Sequence, residues 1–385
     1  MIAVIADDIT GAAEVAGVCL RRGVPVRMLL GIPDPDAVGG TGVVVLAENT
    51  RSGSRDEACT QMQAIASRLR AAGITQVFKK TDSALRGWVL AEMGTLAREL
   101  GRSRLLIQPA NLETGRTIRD GIYYVQDVPI AQTPFRDDPA FPAFSSDAAA
   151  LVRERDGQPG PDRAAFLIPD ARTTEDLARS AALCGPRDLP GGSACFWQYY
   201  LDEEIARGHI SVEMQPVSSP TCLDLSKSLV ICGSAHPASH AWCRNLSFRG
   251  YPTQEISEAL CRTEAGNSPL AREWTRQCIE IWNTNGCLLI RSAEKSVFLP
   301  DDSGRPGRRL AECAARVLDA VRPQDILIEG GETAWEILQR LDWTRFTPLK
   351  EWSPGVVSLH LQTPYPCTIT LKPGSYAWPP INQLP

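Results

Sequence analysis

The sequence contains no apolar run that approaches the roughly 18 residues needed to cross a bilayer. Its first residues include neither a basic segment nor a cleavable apolar core, and residues 2–6 resemble a strand rather than a signal peptide. We therefore expect a cytoplasmic protein. The chain also lacks a basic excess, since its net charge is −5, which argues against nucleic acid or an anionic membrane as the main partner.

Common nucleotide and metal motifs are absent as well. Neither GxxxxGKS/T nor GxGxxG occurs, which excludes a Walker P-loop and a dinucleotide fingerprint. The twelve cysteines include no CxxC pair, so we expect reduced thiols that pack as small hydrophobes. His236 and His240 are spaced for one helix face, but no third ligand is evident nearby, and we predict no metal site.

What is present is an alternation of buried strands and helices. A chain of 385 residues suggests two domains. Short apolar runs alternate with helical patterns in the first part of the chain, the runs at 2–6, 25–30, 42–47, 77–80 and 104–107 and the helices at 9–22, 55–72 and 88–100. A second strand and helix series begins near residue 228, after a weakly periodic segment at 209–227. The pattern predicts an α/β protein of two domains, 1–215 and 222–385, each a mostly parallel sheet flanked by helices, with a ligand cleft between them.

Residues 108–147 differ from this alternation. They are rich in proline, arginine, aspartate and aromatic residues and have little helical pattern. A segment of this length is more often a binding element than a plain connector. We predict a functional loop or a β-hairpin excursion.

Polar residues follow two of the predicted strands in the first half. In "IAVIADDITG", Asp7 and Asp8 stand where a strand ends, so one can cap the next helix while the other binds a ligand. In "FKKTDSALRG" (78–87), two lysines, an arginine, an aspartate and a serine follow another strand. Such a set suits a polyhydroxylated acid, because arginine binds carboxylates in bidentate fashion and Asp and Ser take up hydroxyls. A solvated helix start is the competing interpretation.

Two small-residue turns occur in the second half. "GSAHPAS" (233–239) follows one apolar run, and "EGGETAWEIL" (329–338) follows another. Backbone N–H groups in such turns can bind phosphate, although each turn alone is equally typical of a capped helix start.

Taken together, these motifs resemble the four-carbon acid sugar kinase family. The resemblance rests on "ADDITGAAEVAG", "KKTDSALRG", "PANLETGRTIRDGIYYVQDVPIAQTPFRDDP" (109–139), "GGSACF" (191–196) and "GGETA", in order along most of the chain. It implies an ATP-dependent kinase whose N-terminal domain binds a sugar acid such as erythronate, threonate or a 3-oxo-tetronate, and whose C-terminal domain binds ATP with Mg²⁺. On the substrate side it implies Asp7, Asp8, Arg51, Lys80, Asp82, Ser83, Arg86 and Arg116. On the nucleotide side it implies Ser234, Gly330, Gly331, Glu332, Thr333, Gly355 and Gly374.

The chain departs from the family pattern at several positions. Ala84 stands where a threonine is typical, His236 where a serine is typical, and the last motif reads Lys-Pro-Gly-Ser-Tyr-Ala at 372–377 instead of Lys-Ser-Gly-Asn-Phe-Gly. Two other functions therefore stay open: a kinase for another small hydroxy acid, and a non-catalytic sugar-acid-binding protein without ATP. The oligomeric state is also open, with a homodimer as one state considered.

A kinase of this kind needs a proton acceptor, a carboxylate clamp and charge neutralisation. Asp8 and Asp82 are the two candidates for the acceptor, and the sequence does not choose between them. Arg86, Lys80 and Arg116 are the candidates for the clamp. Mg²⁺ would bridge ATP phosphates with few protein ligands.

Overall fold

The computed structural model divides into two compact units, Met1–Gln215 and Pro216–Pro385. It describes residues 1–32, 42–156, 165–213, 222–261, 268–293, 305–374 and 376–383. The centre of the predicted linker and Ser375 of the last motif lie outside the described residues. Within these ranges, no helix combines the length and apolar character that crossing a membrane requires.

A parallel sheet forms the centre of the first unit, and its strand order is β2-β3-β1-β4-β10-β5-β9. Its first strand, "IAVIA", is buried along its whole length, as expected of a parallel strand covered on both faces. The strands of this unit are β1 Ile2–Ala6, β2 Val26–Leu30, β3 Val43–Ala47, β4 Gln76–Lys80, β5 Arg104–Gln108, β6 Arg116–Arg119, β7 Ile122–Val125, β8 Val128–Pro129, β9 Ala165–Leu167 and β10 Asp188–Gly192.

Helices cover both faces of this sheet. One layer contains α2, α3 and α4, and the other contains α1, α5 and α6. Local capping explains where α2 begins, because the Ser54 side chain accepts from Glu57 N and the Glu57 carboxylate accepts from Ser54 N. The helices are α1 Ile9–Arg21, α2 Arg55–Ala71, α3 Val89–Glu99, α4 Ala148–Asp156, α5 Thr174–Ala182 and α6 Ala194–Ala206.

The predicted excursion at 108–147 is confirmed as a β structure. Strands β6, β7 and β8 pair in antiparallel order as a separate small sheet. Ile118 of β6 and Tyr123 of β7 are buried in the core that α2 and α3 share. The excursion is therefore anchored to the core of the first unit.

Strand β10 was not predicted, since "DLPGG" combines proline and glycine, which disfavour strands. The structure gives the reason for these residues. A Cβ at Gly192 would lie 2.0 Å from the Gln108 carbonyl oxygen, and one at Gly191 would lie 2.8 Å from the Lys79 carbonyl oxygen. Only glycine lets this strand fit between β4 and β5.

The second unit contains a mixed sheet with the order β13-β14-β12-β15-β18-β17-β16. Strands β13, β14, β12, β15 and β18 are parallel, and β17 runs antiparallel to both of its neighbours. Strands β11 and β19 form a small parallel pair beside it. The strands are β11 Leu223–Asp224, β12 Ser228–Cys232, β13 Thr253–Glu255, β14 Leu288–Arg291, β15 Asp325–Glu329, β16 Arg345–Ser353, β17 Val356–Leu361, β18 Cys367–Lys372 and β19 Ile381–Gln383. The helices are α7 Pro237–Phe248, α8 Glu258–Cys261, α9 Pro269–Asn285, α10 Arg305–Val321 and α11 Gly331–Arg340.

The two units share one strand arrangement. In each, the first strand of the sheet (β1 or β12) lies between the third and the fourth, and the second strand lies outside the third. The chain thus leaves this strand toward one side and later returns to its other side. Ligands of such sheets bind beyond the carboxyl ends of the strands at the point where the strand order reverses. In this protein, the residues at that point are those that follow β1 and β12. The predicted fold class, mostly parallel sheets flanked by helices in two domains, is confirmed.

Candidate functional site

The strand register brings the predicted substrate residues to one edge of the first sheet. Ala6, the last residue of β1, is paired with Ala47 of β3 and with Lys80 of β4. Residues that follow these three strands therefore emerge side by side. They include the two aspartates after β1, Arg51 in a short 3-10 turn after β3, and the loop 81–88 after β4.

Arg51 holds both aspartates. Its Nη2 lies 2.9 Å from Asp7 Oδ2 and its Nη1 lies 3.2 Å from Asp8 Oδ2. Asp8 is also the N-cap of α1, because its Oδ1 accepts from Gly11 N at 2.7 Å. Burial raises the pKa of the Asp8 carboxyl, but the positive charges of Arg51 and Lys80 outweigh burial and bring that pKa below its ordinary value.

Asp82 is tied to Arg86. The guanidinium donates from Nη2 to Oδ1 at 2.8 Å and from Nε to Oδ2 at 3.0 Å. The same Oδ2 accepts from Ala84 N at 2.9 Å. Burial alone would raise the pKa of Asp82, yet Arg86 and Arg51 hold it well below the usual range. Asp82 is therefore a weak base, and its structural role is to fix Arg86.

The two lysines of β4 point to different places, as successive residues of a strand do. Lys80 donates to the Thr81 carbonyl oxygen at 2.9 Å and lies 3.7 Å from Glu14 Oε2, which sequence reasoning missed. Lys79 instead pairs with buried Glu92 of α3 at 2.7 Å. Lys79 therefore belongs to the interior of the unit and not to its polar edge.

Arg116 reaches the same edge from the β6–β8 excursion. Its Nη1 donates to Ser83 Oγ, and the Tyr123 hydroxyl donates to the Ser83 carbonyl oxygen. The guanidinium lies over the Phe135 ring, with 5.3 Å from Cζ to the ring centroid. On the other side of the loop, Arg155 of α4 donates to the Ala84 carbonyl oxygen at 2.7 Å. Sequence analysis assigned no role to Tyr123 and Phe135, although both lie in the motif at 109–139, and Arg155 lies outside every motif.

Six buried polar atoms around this edge have no hydrogen-bond partner among the described residues. Four of them form the candidate cluster, Asp7 Oδ1, Thr81 Oγ1, Asn111 Oδ1 and Arg116 Nε, and the other two are Thr50 Oγ1 and Arg155 Nε. A buried polar atom without a partner costs roughly 1–3 kcal/mol, so a cluster of them suggests a ligand that completes the bonds. The cluster offers three acceptor atoms and one cationic donor, and the Thr81 hydroxyl can also donate.

Behind the edge lies a second group of buried charges. Glu48, which follows β3, is fully buried and accepts from Gln61 Nε2. Burial raises the pKa of Glu48 to about 8, against the opposing charge of Lys79. Burial likewise raises the pKa of Glu92. Glu48 is thus mostly protonated at neutral pH, and nothing in the sequence pattern marked it.

The second unit has its own convergence of strand ends. Cys232 of β12 is paired with Glu329 of β15, which is paired with Lys372 of β18. The turns that follow therefore adjoin. The Ser239 hydroxyl lies 3.1 Å from both Ser234 Oγ and the Gly374 carbonyl oxygen.

The glycines of these turns leave little room for side chains. A Cβ at Gly374 would lie 2.5 Å from Ser234 Oγ. Gly330 has φ 103° and is the N-cap of α11, which begins at Gly331. Thr333 is buried and Glu332 is exposed. Gly355, with φ 78°, lies in the turn before β17, whose first residues pair with the end of β18.

His236 caps α7. Its Nδ1 accepts from Ala238 N at 3.2 Å, and its ring is exposed. An imidazole is doing here what a serine hydroxyl does at many helix starts. Within the described ranges, no group of three or more His, Cys, Asp or Glu side chains is placed to hold a metal ion. All twelve cysteines are free thiols, as predicted.

Comparison with known families divides the chain in the same way. The family model described as "Sugar-binding N-terminal domain" matches residues 2–161. The model described as "Nucleotide-binding C-terminal domain" matches residues 229–376. The two matches together account for most of the chain, one in each unit.

Similar proteins extend over nearly the same length. The chain is 26% identical over 381 residues to the D-threonate kinase of Bordetella bronchiseptica, covering 92% of this chain and 88% of that one. It is 28% identical to the 3-oxo-tetronate kinase of Methylobacterium radiotolerans, covering 97% of this chain and 95% of that one. A crystal structure from Salmonella typhimurium LT2 aligns with a TM-score of 0.74 at 22% identity, over 98% of this chain and 96% of that one, and supports the fold.

Proposed function

This chain belongs to the four-carbon acid sugar kinase family, and on that premise we propose that it transfers the terminal phosphoryl group of ATP to a hydroxyl of a four-carbon sugar acid. The relatives named D-threonate kinase and 3-oxo-tetronate kinase suggest erythronate, threonate and 3-oxo-tetronates as the acids to test. The observation that carries the proposal is the set of unpartnered polar atoms at the edge of the first sheet.

Arg116 is the proposed clamp for the substrate carboxylate. Arg51 and Arg86 direct their guanidinium donors to carboxylates of the protein itself, at 2.8–3.2 Å. Arg116 makes one side-chain hydrogen bond, to the neutral Ser83 hydroxyl, and its buried Nε has no partner among the described residues. No carboxylate of the described residues pairs with Arg116, and such a guanidinium is suited to a charge-assisted, bidentate contact with a substrate carboxylate. Lys80 adds positive charge to the same edge.

Asp7 is the proposed acceptor for the proton of the attacking hydroxyl. Of the two aspartates that the sequence offered for this role, Asp82 is engaged by Arg86 and Asp8 caps α1. Both oxygens of each already accept hydrogen bonds or lie against a cation. Asp7 keeps Oδ1 without a described partner while Arg51 holds Oδ2, so the carboxylate is oriented and still has an oxygen to offer.

The second unit is the proposed nucleotide site. The α11 N-terminus follows Gly330, and the first-turn N–H groups of such a helix suit phosphate. Gly374 packs so closely against Ser234 that a Cβ would lie 2.5 Å from Ser234 Oγ, so the glycine lets the turn after β18 adjoin the turn after β12. We assign Ser234, Gly330, Gly331, Glu332, Thr333, Gly355 and Gly374 to this site. ATP supplies the phosphoryl group, and Mg²⁺, which usually keeps several waters and binds phosphates, neutralises charge without a protein cage.

A coupled assay of ADP release tests the proposal. Wild-type protein is given ATP with Mg²⁺ and, in turn, erythronate, threonate, a 3-oxo-tetronate and longer or shorter hydroxy acids. We expect acid-dependent turnover with at least one four-carbon acid. Arg116→Met should raise the KM for that acid by 10-fold or more, because a charged hydrogen bond of about 1.5–3 kcal/mol is lost.

Arg119→Met is the matched control. Arg119 lies on the same strand as Arg116, and its buried Nε likewise has no partner among the described residues, but its Nη2 lies 3.0 Å from Asp127 Oδ1 and its guanidinium lies over the Tyr124 ring. This variant should keep the wild-type KM. Turnover with a different hydroxy acid alone would redirect the proposal to another kinase. Sugar-acid binding without ATP binding would contradict it and favour a non-catalytic binding protein.

A further inference from the structure

Lys372 is the last residue of β18, and only 2% of it is exposed. Its Nζ lies 2.9 Å from Glu329 Oε1. It also donates to the carbonyl oxygens of Pro373 at 2.9 Å and Tyr376 at 2.6 Å. A lysine ammonium has three donors and no acceptor. Three protein oxygens therefore already surround it, and a phosphate would have to displace one of them.

Glu329 is the register partner of Lys372 on the neighbouring strand and is fully buried. Its Oε2 accepts from Trp378 Nε1 at 2.8 Å. The Trp378 ring stacks on Trp242 of α7, with ring centroids 5.4 Å apart. A buried charge pair is stable only while both partners stay paired and hydrogen-bonded. The segment between Lys372 and Trp378 is thus fastened at both of its ends to one buried carboxylate.

Gly374 lies within this fastened segment. Its carbonyl oxygen is 3.1 Å from the Ser239 hydroxyl, and its Cα faces Ser234 closely enough that a Cβ would clash. The Lys372 ammonium holds the carbonyl oxygens of Pro373 and Tyr376, which lie on either side of Gly374 in the sequence, and so constrains where Gly374 lies against Ser234.

We propose that Lys372, Glu329 and Trp378 form a positioning unit that shapes the nucleotide site through Gly374, and that Lys372 is not itself a phosphate ligand. The inference rests on the proposed function, since it takes the second unit to bind a nucleotide. It gives a positioning role to three residues for which the sequence motifs indicated no role. The Lys372 ammonium donates to backbone carbonyl oxygens of its own chain and does not contact the nucleotide.

Calorimetric titration of ATP, ADP and AMP, with Mg²⁺ present, separates the two roles of Lys372. The variants are Lys372→Met, Glu329→Gln and Trp378→Phe. Trp378→Phe keeps an aromatic ring next to Trp242, and it removes the N–H donor together with part of the ring volume. Neither Glu329→Gln nor Trp378→Phe removes a positive charge. Trp352→Phe is the control, because the Trp352 indole donates to Ser358 Oγ on β17 instead.

A positioning unit predicts that all three variants weaken binding about 3- to 10-fold or more, by a similar factor for the three nucleotides. The double variant Lys372→Met/Glu329→Gln should lose less affinity than the two single losses combined, because the residues act as one network. Trp352→Phe should bind as the wild type does, and thermal melts identify any variant that is unfolded.

Other patterns overturn the inference. If Lys372→Met weakens ATP far more than AMP, while Trp378→Phe and Glu329→Gln bind normally, Lys372 is a phosphate ligand and the positioning role is wrong. That result would leave the proposed function intact. If the wild-type protein binds none of the three nucleotides, the proposed function itself is wrong and the inference falls with it.

Discussion

Replacing Arg51 with methionine should destabilise the first unit strongly, and more so at neutral than at acidic pH. The Arg51 guanidinium lies within 4 Å of three carboxylates, at 2.9 Å from Asp7, 3.2 Å from Asp8 and 3.8 Å from Asp82, and its side chain is 18% exposed. Removing one partner of a buried ion pair costs about 3–5 kcal/mol, because the remaining charge stays desolvated. We expect a loss of that size in the free energy of unfolding at pH 7.5.

The pH dependence follows from the direction of the pKa shifts. Arg51 helps to hold the pKa of Asp8 and of Asp82 below their ordinary values, so its stabilising effect is present above the unfolded pKa and is lost as the pH falls through the folded pKa. The ordinary value of both carboxyls is 3.8, so this loss begins below about pH 4. The gap between wild type and Arg51→Met should therefore be smaller at pH 3 than at pH 7.5.

Urea unfolding at the two pH values measures this gap. Arg22→Met is the control, because Arg22 contacts Asp202 with similar geometry, at 2.7 Å, but both side chains are partly exposed. An exposed pair of this kind contributes about 1 kcal/mol or less. A loss below about 1 kcal/mol for Arg51→Met, or one that does not change with pH, would refute the assignment of Arg51 as the counterion of the three carboxylates.

Three further predictions concern single side chains. Asp7→Asn should lower kcat at least about 100-fold with little change in the KM for the acid, since general-base catalysis contributes 10²–10⁴-fold. Steady-state kinetics measures this loss, with Asp56→Asn, at an exposed residue, as the control. Equal kcat values for the two variants would contradict the prediction. Glu48→Gln should flatten stability against pH. The folded pKa of Glu48, about 8, exceeds the ordinary 4.5, so the free energy of unfolding of the wild type falls by up to about 5 kcal/mol as the pH rises from the lower value to the higher. Urea unfolding at pH 5 and pH 9 measures this fall, and an equal fall in wild type and Glu48→Gln would count against the prediction. Gly374→Ala should reduce nucleotide affinity 10-fold or more, because its Cβ would lie 2.5 Å from Ser234 Oγ, and unchanged calorimetric affinity would rule this out.

Much of the fold could be predicted because parallel strands that are buried on both faces appear in the sequence as apolar runs. The run "IAVIA" and the runs at 43–47, 105–107 and 229–232 are continuous apolar segments, and the polar residues after them mark the strand ends. Strand β10, "DLPGG", contains no such apolar run. Its glycines are required by carbonyl groups of neighbouring strands, which lie far away in the sequence.

Sequence motifs predicted some residues of the candidate site but none of its contacts. Local motifs indicated Asp7, Asp8 and Asp82, but only the structure distinguishes a helix cap, an arginine-bound carboxylate and a carboxylate with an open oxygen. The burial of Glu48 and the three oxygens around Lys372 depend on packing between distant segments. The spacing of residues along the sequence does not predict such contacts.

Phosphorus NMR of a mixture of wild-type protein, ATP, Mg²⁺ and a four-carbon sugar acid tests the central claim most directly. We expect a new phosphomonoester signal with at least one of erythronate, threonate and 3-oxo-tetronate. This signal should grow as the γ-phosphate signal of ATP declines, and it should grow more slowly with Asp7→Asn. Loss of the γ-phosphate to inorganic phosphate alone, or no reaction with any of these acids by well-folded protein, would contradict it.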